Sequence, residues 1–228
     1  MGWLQLDPAG IAARARTADS VRVPTLAASM GRGAVGFAIV SVAGFAPWAF
    51  LGRWLGQTVG ELGLYAACAL VFVGLSGLLL HPLVIGPGSL PRFYKLFTPA
   101  FLAYSIGWIA GWMGLGGHLG GLLGLLAGTA IMGWILVTAF EASGALVKVV
   151  AALFVLNAIG YFAGGWIAYG VMGSESLPLI GNVVSRGTQM RIGMLLWGVF
   201  YGLGLGAGLG YAFHACQERA RQLLLATS

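Results

Sequence analysis

The sequence has little charge. Only 8% of its 228 residues are Asp, Glu, Lys or Arg, whereas a soluble domain carries roughly 25%. Hydrophobic residues make up 59% of the chain. This scarcity of charge excludes a soluble enzyme, and the high apolar content excludes a disordered chain, which needs few apolar residues and many charges.

Cysteine is also scarce. Cys68 lies in the middle of one apolar run, and Cys216 lies near the end of another. A disulfide would require the two residues to lie at the same depth and in an oxidising compartment. We therefore expect two free thiols and no disulfide framework.

Six stretches of 19 to 26 residues contain no Asp, Glu, Lys, Arg or His. A hydrocarbon core of about 30 Å needs about 20 residues of helix, and these runs lack the alternation of barrel strands. The sequence predicts an all-α integral membrane protein, a bundle of six transmembrane helices. The stretches are Gly33 to Gly52, Leu62 to Leu80, Leu96 to Gly117, Leu119 to Phe140, Val149 to Ser174 and Ile192 to Phe213.

The basic residues support an even number of spans. If the N-terminus is cytoplasmic, three basic residues fall outside, namely Arg53, Arg186 and Arg191. The other nine fall inside, as the positive-inside rule requires: Arg14, Arg16, Arg22, Arg32, Arg92, Lys95, Lys148, Arg219 and Arg221. We expect a multi-pass protein of a bacterial-type inner membrane with both termini cytoplasmic. An outer aromatic belt is expected at Trp48, Trp54, Trp112 and Trp197.

Three regions follow from these assignments: a basic N-terminal segment at 1–32, the six-helix domain at 33–216 and a cytoplasmic tail at 217–228. The N-terminal segment favours a short interfacial helix, because Asp7 can cap it and Pro8 suits its first position. Apolar anchors are expected at Trp3, Leu4, Leu6 and Ile11. The alternative is a frayed basic tail.

Glycine is abundant, with 39 residues, and it is ordered. A spacing of four residues places successive glycines on one helical face, which lets another helix approach closely. We expect helix packing at these positions, and the alternative is a smooth permeation path lined by carbonyl groups. The glycines are Gly107, Gly111, Gly116, Gly120, Gly124, Gly128, Gly160, Gly164, Gly198, Gly202, Gly206 and Gly210.

Few polar residues fall near the spans. Asn157 lies deep in the fifth stretch, where we expect a hydrogen bond between helices, and it is also the best polar candidate for a path. Glu141 and Lys148 flank a short turn. They either pair and line a cytoplasmic vestibule or mark an ordinary loop with charges that reach the interface.

His81 and His214, the latter close to Cys216, have a comparable depth and are weak candidates for holding a metal or haem. Two imidazoles without a tight local motif do not define a site. We predict no cofactor, and haem or pigment bound together with partner proteins stays open.

The run Gly74-Leu75-Ser76-Gly77 resembles the Gly-x-Ser-Gly motif of rhomboid intramembrane proteases. The resemblance covers four residues and implies a serine nucleophile at Ser76 with His214 as its base. In that family the serine belongs to the fourth helix, whereas Ser76 belongs to the second stretch. We therefore predict that the protein is not an enzyme.

Two irregular segments are expected to contact other molecules. Prolines punctuate 85–97, where Arg92, Phe93, Tyr94 and Lys95 are predicted to form a compact surface patch for anionic lipid or a protein partner. The apolar outer segment 174–190 is expected to be covered by lipid or by another subunit.

These features favour a non-catalytic subunit or assembly component of a membrane complex. It would pack through its glycine faces and its outer loop, with protein partners or copies of itself and with no role for nucleic acid. The alternative is a small channel or transporter for a neutral or weakly polar solute, because proton or sodium coupling ordinarily leaves carboxylates within the spans.

Overall fold

A computed structural model describes residues 5–18, 23–173 and 185–226. Throughout these ranges the chain forms helices and turns without a strand, and six of the helices are long and apolar enough to cross a membrane. The predicted all-α class is therefore confirmed, and so is the number of helices suited to cross a membrane. The helices are α1 (Pro8–Arg16), α2 (Leu26–Thr58), α3 (Gly60–Leu80), α4 (Ser89–Leu115), α5 (Gly117–Ala139), α6 (Leu146–Gly173), α7 (Arg186–Cys216) and α8 (Glu218–Leu225).

Each of the six long helices begins before the apolar stretch that predicted it. Helix α2 has 33 residues and includes Arg32 and Arg53 near its two ends, where both residues are exposed. Long basic side chains can reach the interface from such positions, so a charge does not end the helix. Thr25 caps the start of α2 by accepting a hydrogen bond from the Ala28 amide at 3.2 Å.

Gly116 was predicted to be a packing glycine, but it lies in the turn between α4 and α5. This residue adopts φ +65°, and Gly117 adopts φ +55°, a region that side-chain-bearing residues rarely enter. A methyl group added at Gly116 would have no neighbour within 4 Å. Gly116 therefore reverses the chain and does not belong to a packing face.

The other eleven predicted glycines each lie against a neighbouring helix. A methyl group added at Gly111 would lie 2.5 Å from the Gly124 Cα, and one at Gly202 would lie 2.5 Å from the Ala38 Cα. Gly33 and Gly204, which the four-residue pattern did not include, complete these contacts against Gly206 and Gly160. The glycine faces are thus occupied within the chain and are not available to a partner protein.

Helix pairing follows these faces. Helix α7 lies between α2 and α6, α4 pairs with α5, and α3 packs against α2. Between the closely packed helices lies a row of aromatic rings in which Phe93, Phe97 and Phe101 of α4 stack in succession at centroid distances of 5.0 and 5.2 Å. Two rings from other helices contact this row: Phe37 of α2 lies against Phe97, and Phe213 of α7 lies against Phe93. Glycine contacts bring the backbones together, and the rings fill the interior.

The N-terminal helix has the predicted cap but a different environment. The Asp7 carboxylate accepts a hydrogen bond from the Gly10 amide at 2.7 Å, and Pro8 is the first residue of α1. Leu6 and Ile11 are each only 1% exposed, because α1 packs against α8. They are therefore not lipid anchors, and the other two predicted anchors, Trp3 and Leu4, lie outside the described residues.

Most of the predicted apolar outer segment, residues 174–184, also lies outside the described residues. The same holds for Arg22, one of the basic residues predicted to be cytoplasmic. The four tryptophans of the predicted aromatic belt all lie within the described residues. Trp48, Trp54 and Trp112 are exposed as predicted. Trp197 instead turns inward, where its indole nitrogen donates to the Tyr161 carbonyl at 3.2 Å.

We expect Gly124→Ala to destabilise the protein, because the added methyl group would lie 2.6 Å from the Trp108 carbonyl oxygen. Overpacking of this kind costs on the order of 1 to 3 kcal/mol, so the melting temperature in detergent should fall. Gly170→Ala is the matched control, since Gly170 lies in α6 with no neighbour within 4 Å. Equal melting of both variants would contradict the packing role of Gly124.

Candidate functional site

A buried polar cluster joins three helices in the interior of the bundle. The Asn157 carboxamide on α6 is fully buried, and its Nδ2 donates to the Tyr104 hydroxyl on α4 at 2.9 Å. The Tyr201 hydroxyl on α7 donates to the same Tyr104 oxygen at 3.3 Å. The hydrogen bond between helices that the sequence predicted for Asn157 is therefore present, and the sequence analysis did not identify its partner Tyr104 or the neighbouring Tyr201.

One hydrogen-bond acceptor in this cluster has no donor in the described structure. Asn157 Oδ1 is buried with no hydrogen-bond partner among the described residues. A buried polar atom without a partner is costly, so the cluster can accept one more hydrogen bond from a neutral polar group.

Aromatic rings surround the cluster. The Phe37 ring lies 6.2 Å from the Tyr201 ring, and the Phe101 ring lies 5.9 Å from the Tyr104 ring. These apolar neighbours exclude water and strengthen the hydrogen bonds between the polar groups. A tyrosine in the middle of a span, rather than at an interface, was the sequence signal that could have indicated Tyr104.

The second polar region is one end of the bundle, where α1, α8 and the turn after α3 meet. Gln217, which is 2% exposed, holds this end together. Its Nε2 donates to the Leu83 carbonyl at 2.8 Å, and its Oε1 accepts from the Ile85 amide at 2.9 Å. Arg16 of α1 donates to the Leu223 carbonyl of α8 at 3.0 Å. The two terminal helices therefore lie at the same end, as an even number of spans requires.

Lys148 also belongs to this end, but its partner differs from the predicted one. Its ammonium lies 3.3 Å from the Glu218 carboxylate, and both side chains are about half exposed. Such a pair contributes little to stability. Glu141 is exposed at the turn after α5. Of the two alternatives for Glu141 and Lys148, the pair that would line a vestibule does not form among the described residues, because α8 supplies the carboxylate that Lys148 contacts.

The predicted surface patch at 92–95 is also wrong, because these residues belong to α4 rather than to an irregular segment. Pro91 is tolerated in the first turn of a helix, where its missing N–H needs no partner. Successive helical residues point in directions about 100° apart, so the four side chains separate. Phe93 is buried against Phe213, the Tyr94 hydroxyl donates to the Gly74 carbonyl, and only Lys95 is exposed.

The two histidines have different surroundings. His81 Nδ1 lies 2.8 Å from the Ser89 hydroxyl, whereas His214 Nδ1 is buried without a hydrogen-bond partner in the described part of the chain. No group of three His, Cys, Asp or Glu side chains in residues 5–18, 23–173 and 185–226 could hold a metal ion. A haem site on His81 and His214 stays a hypothesis.

Ser76 is fully buried on α3, and its hydroxyl has no hydrogen-bond partner within the described ranges. The structure therefore does not form the hydrogen bond between Ser76 and His214 that a serine nucleophile and its base require. The cysteines are free thiols in the structure, as predicted for Cys68 and Cys216.

Comparisons with protein-family models, with curated proteins and with solved structures find no match to this chain. Its candidate functions therefore follow from its own residues. The polar cluster around Tyr104 and the end of the bundle held by Gln217 are the two regions where polar chemistry is concentrated.

The hydrogen bond between Tyr104 and Asn157 can be tested with a double-mutant cycle. Tyr104→Phe and Asn157→Leu should each cost about 1 kcal/mol, because the first leaves the Asn157 amide buried and unpaired and the second removes one of the two hydrogen bonds that the Tyr104 hydroxyl accepts. The double variant should cost less than the sum, since it removes both polar partners. Tyr201→Phe is the control, because it keeps the bond at 2.9 Å. Strictly additive losses in melting experiments would exclude this coupling.

Proposed function

We propose that the protein is a non-catalytic subunit or assembly component of a membrane complex. The observation that favours this proposal over a permeation path is the closure of the glycine faces against one another within the chain. Gly111 meets Gly124, Gly160 meets Gly204, and Gly33 meets Gly206, in each case with backbone against backbone. Glycines used in this way hold helices together and do not line a path.

The contents of the interior support the same proposal. Large aromatic residues such as Phe37, Phe97 and Phe213 are fully buried between the helices. The hydroxyl of Thr129, which is also buried, donates to the Leu125 carbonyl of its own helix at 2.7 Å. A solute passing through the bundle would have to displace these packed groups, which costs free energy in a close-packed interior.

One observation favours the alternative, a channel or transporter for a neutral solute. Asn157 Oδ1 is buried with a free hydrogen-bonding capacity in the described structure, and polar groups within spans frequently mark a solute pathway. The cluster carries no charge, so it suits a neutral or weakly polar solute.

Extraction at native expression level and reconstitution distinguish the two functions. Mild detergent extracts should contain the protein in stoichiometric association with other membrane proteins, detected by mass spectrometry of the intact complex. The purified chain alone should give no flux of glycerol or urea in liposomes. Flux through the pure protein that Asn157→Leu abolishes, while Val155→Ala at an exposed position of the same helix leaves it unchanged, would favour transport instead.

We further propose that the protein lies in the cell inner membrane with α1 and α8 on the cytoplasmic side. The end of the bundle that carries these helices also carries Arg14, Arg92 and Lys148. An excess of basic residues at one end favours its retention in the cytoplasm.

Cysteine labelling tests this orientation in a background where Cys68 and Cys216 are replaced by Ala. His118→Cys, at the exposed start of α5, should react with an impermeant maleimide on intact cells. Arg219→Cys, exposed on α8, should react only after the cells are opened. The cysteine-free background controls for unspecific labelling, and the reverse pattern would overturn the orientation.

A further inference from the structure

A layer of aromatic rings lies next to the buried polar cluster, on the side that points away from α1 and α8. Each of the three helices of the cluster carries a further aromatic residue one turn nearer that end of the bundle, on the same face. These residues are Trp108 on α4, Tyr161 on α6 and Trp197 on α7. The Tyr161 ring lies between the other two, at centroid distances of 5.9 Å from Trp108 and 5.4 Å from Trp197.

This aromatic layer is more accessible than the polar cluster beneath it. The three residues of the cluster are buried, whereas the three rings are only partly buried, although they pack against one another between helices. Tyr161 also faces α5, because a methyl group added at Gly121 would lie 3.6 Å from its ring. A ring with neighbours on α4, α5 and α7 is not turned toward lipid. Its accessible surface therefore faces an opening within the bundle.

Gly165 lies beside open space at the same place. It follows Tyr161 by one turn on α6 and is buried, yet a methyl group added to it would meet no described atom within 4 Å. Gly160 of the same helix shows the usual situation, since its added methyl group would lie 2.4 Å from the Phe200 carbonyl oxygen. Protein interiors are close-packed. A buried glycine with no such contact therefore borders a space that the described chain does not fill.

The space arises because α5 and α6 separate toward this end. Nearer to α1 and α8, a methyl group added at Gly133 would lie 2.7 Å from the Val150 side chain. At Gly121, further along the same helix pair, the first contact is the Tyr161 ring at 3.6 Å. His118 of α5 and Phe162 of α6 meet beyond it at a ring-centroid distance of 6.0 Å. The result is a crevice with aromatic walls, and the polar cluster closes its floor.

The chemistry of the crevice favours a neutral, flat ligand. Its walls are aromatic rings and glycine backbone, and an ion in such surroundings would lack a counter-charge. Aromatic rings bind other flat rings by offset stacking or by edge-to-face contact. The Tyr161 hydroxyl lies 3.7 Å from the position of a methyl group at Gly121. It is thus on the α5 side of the crevice, where it can donate a hydrogen bond to an acceptor atom of a ligand.

We propose that the crevice between α4, α5, α6 and α7 binds a small, neutral, planar molecule that carries a hydrogen-bond acceptor. The ring of this molecule lies beside Gly165 and against Trp108 and Tyr161, and its acceptor receives the Tyr161 hydroxyl proton. Because the polar cluster closes the floor, the crevice holds a ligand without passing it through the bundle. This site goes beyond the proposed role in a membrane complex and does not depend on it.

The probe for this site is 1-indanone, a neutral bicyclic ketone, and indane is the same ring system without the carbonyl group. Isothermal calorimetry and thermal melting of the full chain in detergent should show saturable binding of 1-indanone. Indane should bind between about twofold and tenfold more weakly, the value of one neutral hydrogen bond. Tyr161→Phe should remove this difference by weakening the binding of 1-indanone alone.

A second pair of variants tests the open space. Gly165→Leu should abolish the binding of 1-indanone, because the leucine side chain takes the place of the ligand. Gly165→Ala should leave the melting temperature unchanged, since its methyl group meets no described atom within 4 Å. Gly170→Leu adds the same side chain at an exposed position of the same helix and should leave binding unchanged.

Four results would overturn the proposal. They are the absence of saturable 1-indanone binding, equal affinities for 1-indanone and indane, equal effects of Gly165→Leu and Gly170→Leu, and tighter binding of phenyltrimethylammonium than of 1-indanone. The last result would show that the rings hold a cation, as aromatic cages do. If Gly165→Leu fails to fold, the effect of Tyr161→Phe on the two neutral probes decides the question.

Discussion

Close contact between helix backbones is the interaction on which the rest of this structure depends. Lipid tails are as apolar as leucine, so no hydrophobic force draws two spans together within a bilayer. Attraction must come from van der Waals contact, which falls off steeply with distance. Glycine removes the side chain that would keep two helices apart, and the pairs Gly111 with Gly124 and Gly160 with Gly204 use this property. The order of helices around the bundle follows from these pairs.

The glycine contacts also determine where large side chains can go. Helices that touch along one face leave space on the opposite side, and aromatic rings from α2, α4 and α7 fill that space. Within this apolar interior a polar group must find a partner on another helix. The hydrogen bonds that link Asn157, Tyr104 and Tyr201 meet this requirement for three separate spans. They connect the α4–α5 pair to the group formed by α2, α6 and α7.

Glycine contacts do not organise the end of the bundle where the two terminal helices lie. Here hydrogen bonds from side chains to backbone carbonyls hold segments distant in sequence, and Gln217 bridges 132 and 134 positions to reach Ile85 and Leu83. Arg92 is used in the same way, as a donor to the turn before α4. Basic side chains that the positive-inside rule places at this end therefore also organise it.

The sequence by itself determined the helical class, the six helices suited to cross a membrane and the common end of the two terminal segments, because length, hydropathy and charge are local properties that each stretch carries alone. It also marked eleven of the glycines that form contacts, since a spacing of four defines a face without reference to a partner. Only the tertiary structure decided which faces meet, that Lys148 pairs with Glu218 rather than Glu141, and that Arg92 and Phe93 point inward. Those outcomes depend on residues far apart in the chain, whose distances arise only when the helices pack.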